Sequence, residues 1–85
     1  MVRQGVWKAP GGLIRATMEI AEDRLVSVSL SGDFFAYPPE GLSQLEGYLA
    51  GQALDDLETA VETFYRTHYL ETPGVTPVDL ARAMR

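Results

Sequence analysis

The sequence predicts a small two-layer α+β domain in which about three antiparallel strands are followed by two to three helices. Alternating apolar and polar residues, the period of a strand, occupy the first half of the chain. Apolar residues at helical spacing occupy the second half. The chain has 85 residues, which suits a single domain spanning residues 1–85. Strands followed by helices favour a sheet covered by one helical layer.

Two strands are expected to form a hairpin. Residues 13–20 place apolar side chains at every second position, and residues 25–31 repeat this alternation. The polar run at residues 21–24 predicts a short connection between them. The expected apolar face of the second strand consists of Val26, Val28 and Leu30.

A third short strand is expected at residues 34–37. The segment at residues 7–12 is expected to be a turn or loop, because Pro10 lacks a backbone donor and the following glycine pair tolerates positive φ.

Three helical segments are expected after residue 37. The first follows Pro38-Pro39 and stops near Gly51. The second has the strongest periodicity in the sequence, an apolar stripe formed by Leu57, Ala60, Val61, Phe64, Tyr65 and His68. After a loop at residues 71–75, Thr76 and Asp79 have the spacing of a capping box, which predicts a last short helix.

Composition excludes several classes of protein. Without cysteine, the chain has no disulfide framework, thiol nucleophile or thiolate metal site. The longest stretches without charge have 8 residues, and a membrane-spanning helix needs roughly 20. No amino-terminal signal segment is evident. The expected location is the cytosol.

Charge is distributed unevenly along the chain. The formal net charge is −5 at pH 7, and residues 38–85 carry eight acidic and three basic side chains. Nucleic-acid binding depends on clustered lysine and arginine. One lysine and an acidic second half therefore argue against a nucleic-acid partner, and the acidic side chains are interpreted as a solvated helical surface.

The sequence contains no convincing catalytic or metal-binding constellation. The single histidine, His68, continues the apolar stripe and is interpreted as a structural residue at a helix end. The acidic residues Asp55, Asp56, Glu58 and Glu62 belong to a surface helix. No phosphate-binding loop or dinucleotide fingerprint is present. We therefore expect no catalytic residue and no metal ligand in this chain.

Glycine and aromatic residues are concentrated in two segments, residues 7–12 and 31–38. Phe34 and Phe35 are consecutive in an extended stretch and should point to opposite faces, so that one enters the core. Lys8 lies beside the first segment as a single cationic side chain. Glu46 lies at the edge of the leucine stripe of the first helix, where a carboxylate needs a partner or water.

In order and spacing, these segments resemble the carboxy-terminal accessory domain of lipoate–protein ligases. The resemblance covers about residues 5–70, and residues from 72 onward lie outside it. The matching residues are Lys8, Pro10, Gly11, Gly12, Ile14, Arg15, Ser31, Gly32, Asp33, Phe34, Phe35, Pro38, Leu45, Glu46, Leu49 and Gly51.

The resemblance implies an accessory role. Because the chain begins at Met1 without a catalytic domain, the separate small-subunit form of the family is expected. The partner would be a catalytic subunit that binds ATP and lipoate with magnesium, while this chain alone binds no cofactor. The accessory domain would be required for making lipoyl-adenylate and dispensable for transfer to carrier lysines, such as those of E2 subunits or the glycine-cleavage H protein.

The resemblance also implies a fold akin to iron–sulfur scaffold and sulfur-acceptor proteins, the SufE/NifU-like fold. Those proteins act through cysteine, so their chemistry cannot extend to this chain.

Site residues follow from the resemblance as candidate contacts with the partner or its adenylate site. Lys8 is expected to reach a phosphate or an acidic group of the partner. The full set is Lys8, Gly11, Gly12, Arg15, Gly32, Asp33, Phe34, Phe35 and Glu46.

Two other functions remain open at this point. One is a protein-interaction module with a different partner. The other is a lipoyl carrier modified at Lys8, which is disfavoured because carriers present their lysine at a hairpin tip in a nearly all-β domain.

Overall fold

A computed structural model describes all 85 residues as a three-stranded antiparallel sheet covered on one face by helices. The predicted two-layer α+β architecture is confirmed. The strands lie in the order β1-β2-β3, so that β2 is central. In chain order the elements are β1 Val2–Ala9, β2 Gly12–Ala21, β3 Arg24–Gly32, α1 Gly41–Leu49, a 3₁₀ turn Leu54–Asp56, α2 Leu57–Thr67 and α3 Pro77–Ala83.

The first strand was not predicted from the sequence, and the expected loop at residues 7–12 is mostly wrong. β1 pairs with β2 from Val2 to Ala9, and only residues 10 and 11 form the turn. The residues that β1 directs toward the helices are Arg3, Gly5, Trp7 and Ala9. Because only one of these four is a large apolar residue, the strand lacks the apolar alternation by which sequence analysis finds strands.

The strand expected at residues 34–37 is also wrong. This segment leaves the sheet after β3 and forms one isolated bridge, in which Tyr37 and Glu71 exchange backbone hydrogen bonds of 2.9 and 2.8 Å. This bridge therefore connects the segment before α1 with the loop that follows α2.

The predicted β2–β3 hairpin is present, with a shift in register. Glu22 and Asp23 form its turn, with φ of 53° and 62°. Ile20 pairs with Leu25 but Glu19 pairs with Ser27, so Val26 is the extra residue of a β-bulge. Leu25 therefore takes the inward position and Val26 is exposed, contrary to the predicted alternation.

The core lies between the inner face of the sheet and the three helices. The predicted α2 stripe is buried from Leu57 to Phe64, while Tyr65 is half-buried and His68 is exposed. The largest fully buried side chains are Phe64, Ile14, Met18, Leu25, Leu45, Leu49, Leu80, Met84 and Val61.

α3 closes the domain by packing against β1. Its predicted capping box is confirmed: the Thr76 hydroxyl accepts a hydrogen bond from the Asp79 N–H at 3.2 Å, and the Asp79 carboxylate accepts one from the Thr76 N–H at 2.9 Å. The Trp7 indole N–H donates to Asp79 at 3.0 Å, and the Arg82 guanidinium lies 4.8 Å from the centre of the Trp7 ring. The last helix is thus held to the first strand.

The other face of the sheet carries no helix or loop, and we call it the free face. Its cross-strand rows are Val6–Arg15–Ser31, Gln4–Thr17–Ser29 and Val2–Glu19–Ser27, with Lys8 on the same side of β1. Apart from half-buried Glu19, these side chains are exposed. None of the helices has the length and apolar character needed to cross a membrane.

Candidate functional site

Most of the predicted site residues converge at one end of the sheet, where residues 10–12, 32–35 and 73–74 meet; we call this the glycine end. The backbone N–H of Asp33 donates to the Leu13 carbonyl at 2.9 Å. This hydrogen bond holds the segment that follows β3 against the start of β2. Lys8 and Arg15 lie on the free face next to it. The sequence therefore identified residues that the fold does bring together.

The glycines of this end make close backbone contacts within the domain. Gly12 has φ of +138° and a Cβ there would lie 2.2 Å from the Asp33 carbonyl oxygen. At Gly32, with φ of +144°, a Cβ would lie 1.9 Å from the carbonyl oxygen of Leu13. Only glycine fits these two positions. Internal packing accounts for both glycines without any ligand.

Gly11 performs a similar role toward the carboxy-terminal tail. Its N–H donates to the Gly74 carbonyl at 2.8 Å, and a Cβ on Gly11 would lie 2.2 Å from the carbonyl oxygen of Pro73. The tail therefore crosses directly over the β1–β2 turn and forms part of the glycine end.

The two consecutive phenylalanines face opposite ways, as the sequence predicts. Phe34 is half-buried and packs against the core, whereas Phe35 is 67% exposed. Beyond them, the exposed rings of Tyr37 and Tyr69 meet edge to face with centroids 6.3 Å apart. A hydrogen bond to Glu71 raises the pKa of Tyr69 above its usual value. Phe35 is thus the exposed aromatic side chain of the glycine end.

Lys8 and Arg15 are exposed and form no hydrogen bond or ion pair within the domain. Neither cation is paired with a carboxylate, although the chain contains twelve acidic residues. Asp33 is likewise exposed and forms no ion pair.

Glu46 has a role inside the domain. It lies on α1, in the helical layer, and its carboxylate accepts a hydrogen bond from the Leu30 N–H at 2.6 Å. The partner that a half-buried carboxylate requires is therefore a backbone donor at the edge of β3. This residue is set apart from the exposed side chains of the glycine end.

His68 is placed as a structural residue. Its ring stacks on Phe64 with centroids 4.2 Å apart and planes within 8°, and Nδ1 is 2.9 Å from the Thr67 hydroxyl. The neighbouring acidic residues are not gathered, since no group of three or more potential ligands is positioned to hold a metal ion. Glu58 instead pairs with Arg85 at 2.8 Å.

Sequence reasoning missed the contact between α3 and β1. The capping box marked where α3 begins, but nothing in the sequence indicated that Asp79 also accepts from Trp7. The backbone hydrogen bond from Thr76 is the main cause that holds the pKa of Asp79 below its usual range, with Trp7 and Arg82 adding to it. The sequence also did not predict the contact between the Tyr65 hydroxyl and Thr72 Oγ1, which are 2.7 Å apart. Burial raises the pKa of Tyr65.

A cleft of about 480 Å³ opens elsewhere, between the start of β1, the 3₁₀ turn with the start of α2, and the end of α3. Its charged lining consists of Arg3, Asp55, Glu58 and Arg85. Arg3 and Lys8 are five residues apart along β1, which corresponds to roughly 17 Å. The cleft is therefore separate from the glycine end.

Comparison with known proteins decides the family. A scan against family models finds no match. The lipoate-protein ligase A subunit 2 of Thermoplasma acidophilum is 37% identical over 79 residues, which is 93% of this chain and 83% of that protein. This chain belongs to the lipoate-protein ligase A subunit 2 family. The resemblance seen in the sequence is thereby confirmed.

The fold of this chain is also found in a solved structure. A chain from an archaeal lipoylation system of T. acidophilum, described as a bi-partite lipoate protein ligase and its E2 lipoyl domain, is 35% identical and superposes with a TM-score of 0.92. The match covers 100% of this chain and 96% of that one. It therefore extends over residues 72–85, which the sequence resemblance left out.

Proposed function

We propose that this subunit 2 homologue is the non-catalytic accessory component of a two-component lipoate–protein ligase. Together with a catalytic subunit it would support ATP-dependent activation of lipoate to lipoyl-adenylate, before the lipoyl group passes to a lysine of a carrier protein. The observation that carries this proposal is the likeness, over the whole chain, to a member of a bi-partite ligase.

The side chains at the glycine end and on the adjoining free face suit a binding surface. Lys8 and Arg15 offer unpaired positive charge, and Phe35 offers exposed apolar area. The backbone beneath is fixed by the close contacts of Gly12 and Gly32. Aromatic side chains and arginine are enriched in specific protein contacts.

The physical contribution would be to order the catalytic subunit. Forming an adenylate brings a carboxylate and a triphosphate into one site, so positioning and charge neutralisation determine the rate. A rigid domain bound beside such a site can hold its loops closed and exclude water. ATP, lipoate and magnesium would be bound by the catalytic subunit, with Lys8, Arg15, Asp33, Phe34 and Phe35 as contacts from this chain.

Three further assignments remain proposals. The assembly would be a heterodimer in the cytosol, and the acceptors would be lipoyl domains of E2 subunits or the glycine-cleavage H protein. Gly11, Gly12, Gly32 and Glu46 would support the contact surface from within the domain, since each is engaged in internal contacts.

Reconstitution tests the proposal. A purified catalytic subunit from the same organism is assayed for lipoate-dependent ATP–pyrophosphate exchange with and without this chain. We expect exchange only in the presence of this chain, whereas transfer from preformed lipoyl-adenylate to a carrier proceeds in its absence. A Leu80→Asp variant, which introduces a charge at a fully buried position, serves as the unfolded control. Equal exchange with and without this chain would overturn the proposal.

A further inference from the structure

Of the seven basic side chains, two have no partner in the fold. The other five each make a hydrogen bond, an ion pair or a cation–π contact; they are Arg3, Arg24, Arg66, Arg82 and Arg85. Lys8 and Arg15 make none, and both belong to the free face.

These two cations are close neighbours. Lys8 on β1 lies opposite Leu13 on β2, and Arg15 is two residues further along β2 on the same face. Diagonal neighbours of this kind are about 7–8 Å apart, which is within reach of long side chains. Lys8 and Arg15 are therefore neighbouring positive charges without a counterion, in a chain whose net charge is −5.

Glu19, the acidic residue of the free face, does not neutralise Lys8 or Arg15. Glu19 lies four residues from Arg15 along β2, roughly 13 Å away. Its carboxylate is 3.1 Å from the amino-terminal ammonium, which neutralises it. Asp33 follows β3 near this end but forms no ion pair with either cation. The end of the free face that holds Lys8 and Arg15 is therefore positive.

Apolar surface adjoins the two charges. Val6 pairs with Arg15 across the strands and is 59% exposed. An exposed apolar side chain beside unpaired cations can exclude water from charged contacts once a partner covers it. Since the rest of the chain carries the acidic excess, an acidic partner is attracted in one orientation, with this end of the sheet toward it.

We propose that the free face, through Lys8, Arg15 and Val6, docks onto an acidic surface of the catalytic subunit. This inference rests on the function proposed above and adds to it the surface, the orientation and the charge of the partner. The opposing acidic groups would supply the counterions that the isolated domain lacks.

A charge-reversal experiment with a matched control tests this inference. Affinity for the catalytic subunit is measured by calorimetry for the wild type, Lys8→Glu, Arg15→Glu and Arg66→Glu. Arg66 is an exposed arginine on α2, in the helical layer, so Arg66→Glu changes the net charge equally. We expect Kd to rise at least tenfold for Lys8→Glu and Arg15→Glu and less than twofold for Arg66→Glu. The wild-type Kd should also rise with salt concentration.

The outcomes separate this inference from the proposed function. If the wild type neither binds the catalytic subunit nor supports pyrophosphate exchange, the proposed function itself is wrong. If the wild type binds and activates but Lys8→Glu and Arg15→Glu bind equally well, the free face is not the docking surface. If these variants bind the catalytic subunit normally but lose pyrophosphate exchange, the two cations contact a phosphate. That result also contradicts docking through the free face. Circular dichroism of each variant shows whether the fold is retained.

Discussion

At the residue scale, Asp79 combines four contacts in one carboxylate. It accepts from the Thr76 backbone, the Thr76 hydroxyl and the Trp7 indole, and Arg82 lies near it. All four favour the charged form, which is why the pKa of Asp79 is lowered in the folded state. The contacts join the start of α3 to β1.

The lowered pKa of Asp79 predicts a loss of stability in acid. An aspartate in an unfolded chain has a pKa of about 3.9, so the charged contacts stabilise the fold above that pH. This contribution is lost as the pH falls through the lower folded-state pKa. We expect Asp79→Asn to be less stable than the wild type at pH 6, with the difference shrinking as the pH falls below the unfolded-state pKa of about 3.9. Urea denaturation followed by Trp7 fluorescence measures this.

The control for Asp79 is Asp56→Asn. Asp56 occupies the N-cap position of α2 but makes no side-chain capping hydrogen bond. Its replacement should leave the acid dependence close to that of the wild type. An equal effect of both substitutions would mean that general charge repulsion, and not the α3 contact, governs the acid response.

At the element scale, Glu46 provides a hydrogen-bond acceptor for the edge strand β3. A strand at the edge of a sheet has backbone donors without a neighbouring strand, and Leu30 is buried. The carboxylate from α1 satisfies this donor and joins the first helix to the sheet.

Removing this acceptor should destabilise the domain. We expect Glu46→Ala to lower the free energy of unfolding by about 1–3 kcal/mol, because a buried N–H is left without a partner. Glu46→Gln keeps an acceptor and should cost less. Chemical denaturation measures both values. If Glu46→Gln weakens binding to the catalytic subunit while stability is unchanged, Glu46 contacts the partner directly and its role is not only internal.

The elements differ in how far the sequence predicts them, for a physical reason. α2 and α3 were predicted because their signals are local: an apolar stripe in one and a capping box in the other. β1 was missed because its inward residues Arg3 and Gly5 are accommodated by contacts with Met84 and Ala83 at the other end of the chain. Such long-range complementarity leaves no periodic pattern in the strand itself.

The same distinction holds for the candidate site. Motifs placed Lys8, Gly12, Gly32 and Asp33 in two separate segments, and the β1–β2–β3 pairing brings those segments together. What could not be predicted is which groups are already satisfied. The internal role of Glu46 could not be predicted, because it depends on the position of the Leu30 N–H in the packed structure.

At the scale of the whole molecule, one helical layer covers one face of a short sheet, so the core is small. A domain of this size buries only about 60% of the surface of its unfolded chain and is marginally stable. Binding to the folded state adds stability by mass action.

The catalytic subunit should therefore raise the melting temperature of this chain. At a partner concentration 100 times Kd the added stability is about 2.7 kcal/mol, which corresponds to roughly 10–20 °C for a domain of this length. Fluorine NMR of a chain carrying fluorotryptophan at Trp7, its single tryptophan, follows unfolding without signals from the partner. Serum albumin at equal concentration is the control, and an unchanged melting temperature would contradict association with the folded domain.

The crossing of Gly11 and Gly74 has a consequence for slow motions. The Gly11 amide proton is engaged with the tail, so it can exchange with deuterium only when the tail lifts away from the hairpin. Its exchange rate would thus report the opening of the carboxy-terminal segment on a timescale of minutes to hours. Comparing this rate with those of amides in the core would then show whether the carboxy-terminal segment leaves the β1–β2 hairpin before the rest of the domain unfolds.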